Sequence, residues 1–151
     1  MLDITGPSSS LGIPERNTLQ MLEEQVNAKG GVNGHKIRLV ILDGKSSESE
    51  SAIAMKRLVE QDKVLAVIGS STSGPSMSMM PIAQERNVPM ISTAASVAIV
   101  EPVAERKWVF KTPQSDTLMA QRIISYLKQK GISQVAFMAM NNTFGESGLV
   151  E

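Results

Sequence analysis

Three loops of this 151-residue chain concentrate hydroxyl groups and small residues: Gly6-Pro7-Ser8-Ser9-Ser10, Ser70-Ser71-Thr72-Ser73-Gly74 and Ser92-Thr93-Ala94-Ala95-Ser96. Each follows a short apolar run that reads as a strand. In an open parallel sheet, ligands bind beyond the carboxyl ends of the strands. Two of these loops enter helices or helical turns. The free N–H groups at a helix start, together with hydroxyl donors, suit a carboxylate or a phosphate. Carbonyl oxygens of the same loops can accept from an ammonium. No general base stands beside them, so the chemistry indicated is binding and not reaction.

Catalytic patterns fail on inspection. A phosphate-cradling loop needs G-x-x-x-x-G-K-[ST], so that amides hold the phosphate and Lys reaches it. Gly69 to Gly74 has the glycine spacing, but Pro75 and Ser76 follow it, and Gly44-Lys45-Ser46 lacks the first glycine. No strand is followed by the dinucleotide pattern G-x-G-x-x-G. The run Gly69-Ser70-Ser71-Thr72-Ser73-Gly74 nearly spells a nucleophile elbow, with its closing glycine one residue late. The single His35 lies in a Gly34 turn before a strand, at the sheet edge opposite the ligand loops, and reads as a surface histidine. Asp43, Asp116 and Glu146 stand at strand exits or helix starts, and Asp116 is expected to cap the helix after Thr112-Pro113. Asn141-Asn142-Thr143 matches a glycosylation sequon, which has meaning only in a eukaryotic secreted chain. No catalytic residue is assigned.

Composition narrows the partners. Fifteen Lys and Arg balance fifteen Asp and Glu, whereas a nucleic-acid binder shows a basic excess. With no Cys and one His, neither thiolate chemistry nor a Cys- or His-based metal cluster is expected. Neither metal nor cofactor is expected. No apolar run approaches the roughly 20 residues of a membrane span, and Met1-Leu2-Asp3-Ile4 has no leader pattern. Ten methionines supply adaptable apolar side chains for a core.

The elements that must position these loops alternate. Strands are expected at 2–5, 37–43, 64–69, 88–91, 108–111 and 135–140. Helices are expected at 14–29 (Leu19, Leu22 and Val26 on one face), 48–61 (Ile53, Leu58 and Val59 buried, Ser46 or Ser47 as cap), 75–87 (Met77, Met80, Ile82 and Ala83 inward) and 115–130. A further helix begins at Phe144. Residues 97–105 read as short and irregular. The continuous apolar run Val64–Gly69 fits a parallel strand covered on both faces. The class is α/β, a doubly wound parallel sheet of Rossmann-like type.

The order of these segments resembles the type I periplasmic binding proteins of ABC transporters, in their leucine/isoleucine/valine-binding branch. The resemblance rests on Thr5-Gly6-Pro7; the run from Val26 through Asn27-Ala28-Lys29-Gly30-Gly31-Val32-Asn33-Gly34-His35-Lys36 to Ile37; Leu58 to Val64 with Val67-Ile68-Gly69; Ser73-Gly74; Val88 to Ser92; Val109 to Thr112; and Phe144-Gly145-Glu146. It covers essentially the whole chain, and the N-A-K-G-G-V-N-G-H-K-I run is its most specific part.

The resemblance implies two lobes that close on a ligand by hinge motion. Residues 1–133 correspond to the first lobe, with its central strand shortened to Leu2–Thr5, and 134–151 to the start of the second. The chain is therefore expected to be the N-terminal fragment of a longer protein. It further implies that Ser73 bonds the α-carboxylate of an amino acid, that the Ala94 carbonyl accepts from its ammonium, and that Ser96 bonds the same zwitterion. Leu11 and Phe144 stand where relatives often place an aromatic and a tyrosine, and apolar residues there suit an aliphatic or aromatic ligand side chain. The implied protein is a non-enzymatic, extracytoplasmic importer component. Its partners are a small-molecule ligand and, in the full-length protein, a membrane permease. The alternative is a ligand-sensing receptor or regulatory domain on the same fold. Apolar surface left open where further segments would pack favours self-association into a dimer.

Overall fold

Three short parallel strands carry the sheet of the computed structural model, which describes residues 1–151. They are β1 (Val67–Ile68), β2 (Met90–Ser92) and β3 (Val109–Lys111), side by side in that order. Val67 faces Met90, and Met90 faces Val109. Apolar and β-branched residues at these positions fit strands packed on both faces.

Helices fill the connections. α1 is Ser9–Ala28, α2 Glu48–Glu60, α3 Ser73–Arg86, α4 Asp116–Gln129 and α5 Thr143–Val150. Ser47 caps α2 as expected, its hydroxyl accepting from Glu50 N–H. α1 begins five residues before the expected Pro14, which lies inside it. α3 begins at Ser73, which leaves Pro75 in the first turn, where no backbone donor is needed. Asn87 ends α3 in the left-handed conformation, φ 54°, a common helix stop. Two 3₁₀ turns, Val97–Ile99 and Val103–Glu105, occupy the stretch read as irregular.

The core lies between α2, α3 and the sheet. It is rich in methionine, with Met55, Met79 and Met90 fully buried beside Leu58, Val67, Ala83, Ile99 and Val109. Long unbranched thioethers fill the irregular space between two helices and a short sheet. Ile53, expected inside, is 64% exposed, because it lies on the outer side of α2 from Ala54, Met55 and Leu58. Met77 and Val59 are half-buried.

The first two expected strands shrink to one parallel bridge, Leu2 with Asp43. Leu2 N–H donates to the Leu42 carbonyl (3.2 Å), and the Leu2 carbonyl accepts from Gly44 N–H (2.8 Å). On the other side the Met1 amine donates to the Ile68 carbonyl (2.7 Å). The layer order is thus 37–43, 1–3, β1, β2, β3. Residues 37–41 stay extended without a ladder. Side chains of α1 hold them instead: Asn27 bonds both backbone groups of Ile37, and Glu23 accepts from Leu39 N–H. The expected strand at 135–140 does not form. Its backbone has no neighbouring strand to pair with, and Val135, Phe137 and Met138 stand exposed. No helix is long and apolar enough to cross a membrane.

Candidate functional site

The carboxyl ends of β1 and β2 open into the two hydroxyl-rich loops, and most of their hydroxyls are spent on holding the loops together. Ser70 and Thr72 both donate to Asp3 Oδ2 (3.2 and 2.8 Å), and Ser71 accepts from Asp3 N–H (3.1 Å) while donating to Glu15. Ser76 and Ser92 share a hydrogen bond at 2.8 Å. Thr93 bonds the Ser70 carbonyl through both its amide and its hydroxyl. Buried polar atoms need such partners, and this cross-linking fixes one loop against the other. Asp3 is the organising residue that sequence reading missed. A carboxylate inside the apolar stub Leu2–Ile4, facing a run of serines, was its signal.

Ser73 and Ser96 meet, and Ala94 lies two residues before Ser96 in the same loop. All three are buried, and Ser96 N–H donates to the Ser73 hydroxyl at 3.4 Å. Ser73 is the first residue of α3. Thr72, before it, makes no cap because its hydroxyl is turned to Asp3. The Ser73 and Gly74 N–H groups therefore lack intrachain acceptors, and the Ser73 hydroxyl proton is uncommitted. The Ala94 carbonyl likewise accepts nothing from the chain, whereas its N–H is held by Ser92. A helix start with two open amides and a hydroxyl offers donors for an anion, and the open Ala94 carbonyl, in the loop that Ser96 ties to that helix start, offers an acceptor for a cation.

Leu11 and Phe144 are not part of this buried cluster. Leu11 lies on α1 and is 51% exposed, and Phe144, in the first turn of α5, is 45% exposed. α5 nevertheless reaches the site through another residue. Ser147 shares a hydrogen bond with the Ser96 hydroxyl (2.9 Å) and donates to Asp116. A cavity of about 290 Å³ lies there, lined by Ser96, Val97, Thr143, Glu146 and Ser147.

Asp116 is not the expected cap of α4. It is buried, and its Oδ1 accepts from Val97 N–H (3.1 Å) as well as from Thr117 N–H. Ser115 holds the cap position, and the carboxylate has turned to the β2 loop, where an otherwise open amide needs an acceptor. Lys111, at the end of β3, donates to the Ala95 carbonyl (2.7 Å). Burial pushes its pKa down, against the pull of Asp116.

The remaining polar candidates are structural. Asp43 accepts from the Ile4, Thr5 and Lys45 amides and from the Thr5 hydroxyl (2.6 Å). Partial burial pushes this carboxyl up, and the Thr5 hydroxyl and the amides outweigh it, so it stays below the usual carboxylate range. His35 is exposed, and its backbone closes a turn onto Val32. No group of three His, Cys, Asp or Glu is placed to hold a metal ion.

The fold is a parallel α/β lobe with an open helix N-terminus and hydroxyls at its strand ends. The family model described as periplasmic binding protein matches residues 1–150, and the chain belongs to that family. It is 27% identical to an amino acid binding protein of Pseudomonas aeruginosa, over 94% of this chain and 38% of that protein. An extracellular ligand-binding receptor from Rhodopseudomonas palustris HaA2 superposes with a TM-score of 0.86 at 29% identity, over 99% of this chain and 39% of that one. The branched-chain amino acid transporter substrate binding protein of Streptococcus pneumoniae, in complex with isoleucine, matches at 29% identity and a TM-score of 0.79, over 85% of this chain and 36% of that one. The chain thus spans about two-fifths of the length of the first of these relatives.

Proposed function

We propose that the chain is the first lobe of a solute-binding protein that holds an amino acid of the branched-chain or a related type. The observation that carries this reading is the Ser73–Ser96 pair at the open start of α3. The ligand carboxylate sits on the Ser73 and Gly74 amides and the Ser73 hydroxyl. The ammonium donates to the Ala94 carbonyl, and Ser96 bonds the same zwitterion. Leu11 and Phe144, apolar and half-exposed on α1 and α5, flank an aliphatic side chain. With zero net charge overall, local dipoles hold a zwitterion without a large field to disturb it.

Residues 1–133 make the binding lobe in this reading, and 134–151 begin a second. The protein acts outside the cytoplasm and hands its ligand to the membrane permease of an importer. It performs no chemical transformation. Its similarity to an amino acid binding protein and to a branched-chain amino acid transporter substrate binding protein supports amino-acid binding.

A nitrogen–proton NMR titration with leucine, isoleucine, valine, aspartate and lysine tests the reading. Saturable shifts for the aliphatic ligands, centred on the Ser73, Gly74 and Ser96 amides, are expected. Preference for aspartate or lysine, or shifts centred elsewhere, overturns it.

A further inference from the structure

Two charged side chains stand behind the site, Lys111 at the end of β3 and Asp116 at the start of α4. Each reaches it through a chain of hydrogen bonds. Lys111 Nζ donates to the Ala95 carbonyl (2.7 Å), and the other end of that same peptide unit, Ser96 N–H, donates to the Ser73 hydroxyl (3.4 Å). A cation at the oxygen end of a peptide unit polarises it and makes its N–H a stronger donor. The Ser73 oxygen is thereby used as an acceptor, and its proton, which has no acceptor in the chain, is left for a ligand. This relay runs one way, from the Lys111 ammonium to an open O–H.

The second relay runs the other way. A carboxylate only accepts. Ser147 gives its one proton to Asp116, so the hydrogen bond that Ser147 shares with Ser96 (2.9 Å) takes its proton from Ser96. Ser96 Oγ also accepts from Ala98 N–H (3.3 Å). With its proton spent, the Ser96 hydroxyl has one lone pair left and can only accept. Ser73 and Ser96 are the same residue type and both are buried, yet they present opposite polarity.

On the reading of the site as the seat of an amino acid, on which this rests, we propose that Lys111 and Asp116 are its specificity-determining residues. Through the two relays Lys111 sets Ser73 as a donor to an anion, and Asp116 sets Ser96 as an acceptor from a cation. The seat thus selects a ligand that carries both charges, in one orientation. A ligand with a single charge satisfies one relay and leaves the other hydroxyl unpartnered, which costs affinity. Replacement of Asp116 by Asn reverses its relay. The Asn oxygen can keep the Val97 and Thr117 amides, which bond Oδ1, while its NH₂ replaces Oδ2 and donates to Ser147. Ser147 then donates to Ser96, and Ser96 regains a free proton.

The test measures, by amide NMR titration, the affinities of leucine, of leucinamide, which lacks the carboxylate, and of 4-methylpentanoate, which lacks the ammonium. Lys111→Met is expected to weaken leucine roughly tenfold, the effect of a unit charge about 10 Å away at an effective dielectric constant of about 20, and to leave leucinamide unchanged. Lys111→Arg is expected to restore leucine binding. Asp116→Asn is expected to weaken leucine by a similar factor and to leave 4-methylpentanoate unchanged. Without ligand, the Ser96 amide proton is expected to move upfield in Lys111→Met and to return in Lys111→Arg, as weakening and recovery of its hydrogen bond require. Should either Lys111→Met or Asp116→Asn lose the native amide spectrum, the other decides. Losses that fall equally on leucine and on the analogue mark a merely structural role and overturn the proposal while the reading of the site stands; so does an unchanged leucine affinity. Failure of the native chain to bind leucine overturns that reading, and the proposal with it.

Discussion

The amide of Ser96 is bonded to the hydroxyl of Ser73 at 3.4 Å, which ties the loop after β2 to the first residue of α3. This contact spans the two strand ends where a ligand is proposed to sit. It gives the pair a structural role beside the one proposed for it in binding. Ser73→Ala leaves a buried N–H without its partner, which costs about 1–3 kcal/mol of stability. Denaturant titration of the variant against the native chain measures it, and Ser73→Thr is expected to recover most of the loss.

The buried amine of Met1 makes stability depend on pH. Burial lowers its pKa from 8.0 to about 6, against the pull of Glu15 and Asp3. A cation with a folded pKa below its unfolded one binds fewer protons when folded, so stability rises as pH climbs from about 6 to 8. The rise is about 2–3 kcal/mol. Denaturation midpoints at the two pH values, with and without acetylation of the amine, check this. The acetylated chain is expected to show no such rise.

Asp43 gives a slope of the same sign at acid pH. Its carboxyl lies below the usual range, so the stability it contributes is present above the unfolded value of 3.8 and is lost as pH falls through the folded one. Asp43→Ala removes one acceptor from three amides and the Thr5 hydroxyl. The variant is expected to lose about 1–3 kcal/mol at neutral pH and to show a shallower acid transition, read by circular dichroism.

Ser147→Ala separates α5 from the lobe. The serine bonds both Ser96 and Asp116, whereas the core around Met55 and Met79 does not include α5. Amide exchange across 143–150 is expected to accelerate with little change in the main melting transition. Met79→Ala does the reverse, lowering global stability by about 2–5 kcal/mol, because Met79 is fully buried.

The α/β class and all five helices were legible in the sequence, since apolar periodicity and punctuation by Pro and Gly are local signals. The helix starts were less so. Ser9 and Ser73 begin helices ahead of Pro14 and Pro75; Pro75 falls in the first turn, where proline is tolerated, whereas Pro14 lies inside α1. Strand extent was not legible, because a strand needs neighbours. Ile37–Asp43 and Val135–Met140 have β-forming residues, but ladder partners are lacking along most of the first and all of the second. At the site, the serine-rich loops stood out from their place after strands, whereas Ser73, Ala94 and Ser96 were singled out within them by the family resemblance. The turn of Asp116 toward Val97 and the reach of Ser147 were not, since each depends on how α4 and α5 dock.

The most direct test of the account is a leucine titration of the native chain and of Ser73→Ala with Ser96→Ala, followed at the Gly74 amide. A hydrogen bond to a charged group contributes about 1.5–3 kcal/mol, so the double variant, confirmed folded by its amide spectrum, is predicted to bind at least tenfold more weakly. Equal affinity in the two proteins would contradict the placement of the ligand at the start of α3.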